Sequence, residues 1–154
     1  MRAIDEAGIG QNTLIVFSSD NGPEVDAYRR AQAENHFSMG PLRGVKRDLY
    51  EGGHRVPMVV RWPAMVKPGS VSRALVNLTD WYATIAAITG QTPAYTSGRD
   101  SMNILPLLQG KAEEVRGLML QDTAVGRNTR GIRVGPWMYI NAESGEMNRN
   151  REPD

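Results

Sequence analysis

A mixed α/β fold is predicted by three features of this chain. Leu14 to Phe17 is a short apolar, β-branched-rich run that turns abruptly polar and ends in Asp20-Asn21-Gly22. Such a run is expected of a strand buried on both faces, as in a largely parallel sheet. Val56 to Trp62 is a second such run, with Pro57 at its start and Pro63 just past its end, positions that a strand tolerates. Around the strands lie helical patterns closed by glycines, Met1 to Ala7 before Gly8 and Thr79 to Thr89 before Gly90.

The composition sets the bounds. With 154 residues the chain has room for one domain and a core. Eighteen Lys and Arg face seventeen Asp and Glu, for a net charge of +1, and no basic run favours nucleic acid or an acidic membrane surface. The absence of cysteine removes disulfides, thiolate metal sites and a cysteine-derived nucleophile, and leaves the redox compartment open. No apolar run approaches the ~18 residues of a membrane span. Met1 to Glu6 is too polar for a signal peptide, so the sequence assigns no compartment.

Each element follows in order. Met1 to Ala7 reads as the tail of a helix leading straight into the first strand, as if cut from something longer. Glu24 to Met39 shows no firm periodicity and is expected as a surface excursion. Gly40 to Pro57 carries Gly44, Gly52 and Gly53, and reads as tight turns with close backbone approaches. Lys67-Pro68-Gly69-Ser70 is a turn, and Leu75 to Leu78 a short extended piece feeding Thr79, a helix N-cap with Asp80 in the first turn. Trp81, Ile85 and Ile88 recur as the apolar face of that helix, with Trp81 in the core. Gln91 to Asp100 is turn-rich linker. Ile104 to Leu108 is a helical turn closed by Gly110. Leu118 to Gln121 and Gly131 to Ile140 are strands, the latter alternating as in a half-exposed antiparallel sheet. Glu143 to Asp154 is polar and expected to fray.

Two places carry candidate chemistry. A strand end that delivers a carboxylate and an amide oxygen puts them where open α/β sheets build their sites, and two hard oxygen donors suit Mg²⁺ or Ca²⁺. Asp20 and Asn21 are therefore candidate metal ligands; the competing reading makes Asn21-Gly22 a type I′ hairpin turn. Lys46, presented from glycine-hinged backbone, is either a cation for an oxyanion such as sulfate or phosphate or a solvated surface lysine. Glu51 and Arg55, four apart, suit a structural ion pair.

Ser18-Ser19-Asp20-Asn21-Gly22, Leu42-Arg43-Gly44-Val45-Lys46, Tyr50-Glu51-Gly52-Gly53, Arg55-Val56-Pro57 and Trp62-Pro63 stand in the order and rough spacing of the sulfatase family. The Pro68-Gly69 turn, the Thr79-Asp80 helix and Leu105 to Gly110 continue the match, which covers roughly residues 1 to 140. Each motif is weak alone; together they are specific. The resemblance implies part of an alkaline-phosphatase-like α/β sheet with flanking helices over residues 1–111. It then implies the opening strands of a small antiparallel C-terminal subdomain over residues 112–154. By the same resemblance, Asp20 and Asn21 match the family's second pair of Ca²⁺ (sometimes Mg²⁺) ligands and Lys46 the lysine that contacts sulfate. His36 is a further candidate near the sulfate, although it sits on no motif.

The departures shape the expected function. The formylglycine motif Cys/Ser-x-Pro-x-Arg is absent, and its nearest string, Met39-Gly40-Pro41-Leu42-Arg43, has methionine where the nucleophile belongs. The family's first pair of metal-ligand aspartates is absent as well. The expectation is a fragment of a sulfuric-ester hydrolase, silent alone and binding metal weakly or not at all, whose intact form acts on a sulfate ester. A phosphoester or phosphonate hydrolase is the related alternative. A non-catalytic module that oligomerises or docks a partner is the alternative from another class. Expected partners are a second copy or a complementing N-terminal fragment, with no nucleic acid and no membrane.

Overall fold

The computed structural model describes residues 1–94, 96–123 and 129–145. The fold is mixed α/β. Five α-helices and five strands run in the order α1 (Arg2–Glu6), β1 (Ile15–Ser18), α2 (Asp26–Glu34), α3 (Glu51–His54), β2 (Met58–Arg61), α4 (Asp80–Ile88), α5 (Leu105–Leu108), β3 (Leu118–Asp122), β4 (Arg130–Val134) and β5 (Trp137–Ile140), among the described residues. Strands β1 and β2 pair in one sheet, and β3, β4 and β5 form a second in that order. The chain divides into two units, Met1–Phe17 with Val59–Met119, and Ser18–Met58 with Leu120–Asp154.

In the first unit α1 ends as the sequence predicts, with Gly8 in the left-handed region at φ 70°. Strands β1 and β2 lie where expected, but β1 is not buried on both faces: Phe17 is 67% exposed and Val59 on β2 is 61% exposed. Burial of a strand depends on layers packed above and below it, and among the described residues this sheet has two strands. The core gathers around α4 and α5, with Ile104, Leu107 and Trp62 buried.

The buried face of α4 differs from the apolar pattern. Ile85 is half exposed, whereas Asp80 and Thr84 are fully buried. The Thr79 side chain makes no cap. Instead the Asp80 carboxylate accepts the N–H groups of Asn77 at 2.7 Å and Met102 at 2.8 Å and pairs with the buried Arg116. The Thr84 hydroxyl accepts from Ile104 N–H at 2.9 Å. Polar residues thus occupy the inward face because the 101–104 segment brings backbone donors that must be satisfied. The segment Leu75 to Leu78, expected to be extended, is irregular.

In the second unit the expected surface excursion contains a helix, α2. Its buried side is only Ala27 and Tyr28, which pack with Val45, Val25 and Met39. Only two residues of this polar, charged stretch are buried, so no apolar run marks the helix in the sequence. Strands β4 and β5 form an antiparallel hairpin with Val134 opposite Trp137. Gly135, at φ 54°, takes the first place of its two-residue loop, where a II′ turn requires glycine. Of the tail expected to fray, residues 146–154 lie outside the described residues. Gly145 does not fray: it is buried, and its carbonyl accepts the Leu49 N–H at 2.8 Å.

Candidate functional site

All four candidate residues belong to the second unit. Asp20 and Asn21 follow β1 directly, in a loop pinned by its own polar groups. Asp20 Oδ1 accepts the Asn21 N–H at 3.0 Å, and the Ser19 hydroxyl donates to the Asn21 carbonyl at 2.9 Å. Asn21 Nδ2 donates to the Gly22 carbonyl at 2.9 Å, which leaves its amide oxygen available to a ligand. The loop is not a hairpin turn, because it leads into α2 rather than a pairing strand.

The Lys46 segment is fastened to this loop through main chain. Gly22 N–H donates to the Gly53 carbonyl at 2.9 Å, and Lys46 N–H donates to the Pro23 carbonyl at 2.8 Å. Glycine is required for this approach. A Cβ on Gly22 would stand 1.8 Å from the Gly52 oxygen, and one on Gly52 would stand 2.0 Å from the Gly44 oxygen. Asp48, buried, closes the turn by accepting the Val45 N–H at 2.9 Å.

The Lys46 ammonium lies 3.4 Å from Glu24 Oε2, and the Arg47 guanidinium meets both oxygens of the same carboxylate. The hydrogen bond from Arg47, and after it the Val25 N–H, holds the Glu24 carboxyl down at about 2. Glu51 joins Arg55 at 3.3 Å and also pairs with Arg133 of β4, so the expected 51–55 ion pair is one arm of a larger cluster. Burial pushes the neighbouring His54 imidazole below its usual value.

A cleft of 490 Å³ opens beside the loop, with Ser19, Asn21, Ser38 and Arg55 on its wall and the backbone of Gly22 and Gly52 in its lining. Of the four candidates, Asn21 alone lines it. Asp20 is exposed. His36 is exposed just beyond α2, its N–H donating to the Arg30 carbonyl at 3.4 Å, and no hydrogen bond or ion pair among the described residues ties it to Asp20 or Lys46. Glu24 and Arg47 were not singled out by the sequence, since no spacing rule links positions so far apart. The sequence presents Arg55 only as half of an ion pair.

The donor chemistry at Asp20 and Asn21 suits a hard divalent ion. No group of three or more His, Cys, Asp or Glu side chains gathers among the described residues. The pair therefore fits part of a coordination shell that takes ~6 to 8 oxygens for Ca²⁺.

The family model described as Sulfatase matches residues 1–91. The chain belongs to the sulfatase family. This sulfatase chain is 38% identical over 144 residues to N-acetylgalactosamine-6-O-sulfatase of Bacteroides thetaiotaomicron, covering 91% of this chain and 28% of that protein. It is 35% identical over 113 residues to mouse steryl-sulfatase, covering 73% of this chain and 18% of the relative. A solved structure from work on glycosaminoglycan metabolism in Bacteroides thetaiotaomicron superposes with a TM-score of 0.78 at 36% identity, over 91% of this chain and 29% of that one. The sulfatase chain thus spans less than a third of the length of each. The α/β architecture is that of part of the sulfatase fold.

Proposed function

We propose that this chain supplies part of the active site of a sulfuric-ester hydrolase. In this reading Asp20 and Asn21 are two of the ligands of a divalent ion, Ca²⁺ or Mg²⁺, and Lys46 contacts the sulfate. The observation that carries the reading is the 2.8 Å hydrogen bond from Lys46 N–H to the Pro23 carbonyl. It references the lysine to the loop that bears the oxygen donors, and the family membership gives the pairing its chemical sense. When bound, the ion would polarise a sulfate oxygen as a Lewis acid. The Lys46 ammonium would donate charge-assisted hydrogen bonds to the remaining oxygens and offset charge that builds there as the ester bond breaks.

The relatives bear the names of sulfatases acting on sugars and sterols, and a sulfate ester is the proposed substrate of the whole enzyme. Residues 1–111 are assigned to the α/β core and 112–154 to the start of a C-terminal subdomain. His36 stays a candidate for the surroundings of the sulfate on the family resemblance alone. Because these 154 residues contain no Cys/Ser-x-Pro-x-Arg string, the chain by itself is proposed to be catalytically silent.

The test is incubation of the pure chain with an aryl sulfate and Ca²⁺. Release of the phenol at the uncatalysed rate is expected, and turnover above it would overturn the silence. Ca²⁺ calorimetry tests the partial shell: weak or undetectable heat is expected, and a tight site would show that the ligand set is wrongly drawn.

A further inference from the structure

We propose that Glu24 and Arg47 together form the mount of Lys46: Glu24 fixes the position of the ammonium, and Arg47 cancels the charge of Glu24 so that the mount does not repel an anion. The inference rests on the reading of Lys46 as the sulfate contact, and it names two positioning residues for it.

A lysine is a point charge on a flexible four-carbon stem. Here both ends of the residue are referenced to one short stretch, the main chain to Pro23 at 2.8 Å and the ammonium to Glu24 at 3.4 Å. An ammonium has three donors, and an anion competes for them with the partners the folded chain supplies.

A carboxylate beside an anion site would normally be a liability, because its charge opposes the ligand. Arg47 removes the liability by engaging both Glu24 oxygens. Two cations against one carboxylate leave the trio with one positive charge.

Lys46 and Arg47 are the two central residues of a turn in which the Asp48 N–H donates to the Val45 carbonyl at 2.9 Å, and Arg47 has φ 82°, a conformation that L side chains rarely adopt. The Thr123 hydroxyl donates to the Arg47 carbonyl at 2.8 Å, which supports the unusual backbone. Glu24, held near 2, stays ionised wherever the protein is folded at ordinary pH. All three side chains are partly exposed, and exposed ion pairs contribute little to stability. Their arrangement therefore serves placement of charge.

The chain has three lysines, Lys46, Lys67 and Lys111, so side-chain ammonium resonances in ¹⁵N-lysine-labelled full chain can be assigned with Lys46→Met. The Lys46 ammonium should be more restricted than those of the exposed Lys67 and Lys111, and Glu24→Gln should release it without altering the backbone amide spectrum. A Lys46 ammonium as mobile as the other two, or one indifferent to Glu24→Gln, overturns the mount whether or not sulfate binds.

Titration with inorganic sulfate supplies the second arm. Glu24→Gln adds net positive charge, so simple attraction predicts tighter binding, whereas loss of the mount predicts binding several-fold weaker. Arg47→Met should weaken sulfate several-fold, with Arg47→Lys restoring part of the loss. Arg47→Gly, which suits the positive φ, should match Arg47→Met. Tighter sulfate binding by Glu24→Gln would show that Glu24 competes with the anion and would overturn the proposal. Sulfate binding unchanged in Lys46→Met, alongside a Lys46 ammonium released by Glu24→Gln, would instead reject the reading of Lys46 and leave the mount standing.

Discussion

Gly22 and Gly52 meet through bare backbone: a Cβ on Gly22 would stand 1.8 Å from the Gly52 carbonyl oxygen. The neighbour is main chain, which cannot swing aside. Gly22→Ala should therefore destabilise by the upper end of the ~1–3 kcal/mol known for over-packing, or more. Gly69→Ala is the control. Gly69 has φ 70° and nothing within 4 Å of its added Cβ, so only the left-handed backbone is strained, at about 1–2 kcal/mol. Urea unfolding of the two variants should rank them in that order.

Asp80 and Arg116 offer a second measurement. Their side chains are 0% and 8% exposed, and removing one partner of a buried pair strands the other. Arg116→Met should cost about 3–5 kcal/mol by chemical denaturation. Asp80→Ala should cost more, because it also releases the N–H groups of Asn77 and Met102.

The pH dependence follows from His54. Its folded-state value is lowered by burial, while in the unfolded chain it titrates near ~6.5. The unfolded state then binds the proton more readily, so stability is complete above that pH and falls as the solution is acidified through the folded value. His54→Gln should flatten the stability profile in that range. A Glu24→Gln variant should differ from the parent at neutral pH and converge with it at lower pH, since the Glu24 carboxyl is held at about 2 and its contribution fades as pH falls from the ordinary carboxylate range toward that value.

Divalent metal binding should follow carboxylate count at the loop. Asn21→Asp adds a second anionic oxygen donor beside Asp20 and should strengthen Ca²⁺ binding. Asp20→Asn removes the one carboxylate and should weaken it further. Both are read by calorimetry on the same chain, with the amide hydrogen-bond pattern around Gly22 checked by NMR.

Much of the architecture was legible because it rests on local rules. Gly8, Gly69, Gly90 and Gly110 all stand at positive φ where a helix or turn ends, and the strand runs alternate or cluster as strands do. Asp20, Asn21 and Lys46 are candidates through motif order. What stayed hidden depends on contacts between distant parts of the chain. Asp80 and Thr84 are buried because backbone from 101–104 reaches them, and Ile85 is exposed although the helical period would bury it. Helix α2 was hidden because its residues are mostly polar and charged, with only Ala27 and Tyr28 buried. The Glu24–Arg47 pair had no signal at all, since it depends on a backbone angle at Arg47 that no local pattern in the sequence announces.

The hydrogen bond from Leu49 to Gly145, with Tyr50 Oη 3.2 Å from Ser144 Oγ, bears on how the protein is made. A ribosome delivers Lys46 long before it delivers residue 145, and contacts between such distant positions form late. The loop that carries Lys46 therefore waits, incompletely braced, until residue 145 has left the exit tunnel. Slow translation over residues 118–145 would prolong that interval and expose the nascent chain to chaperones.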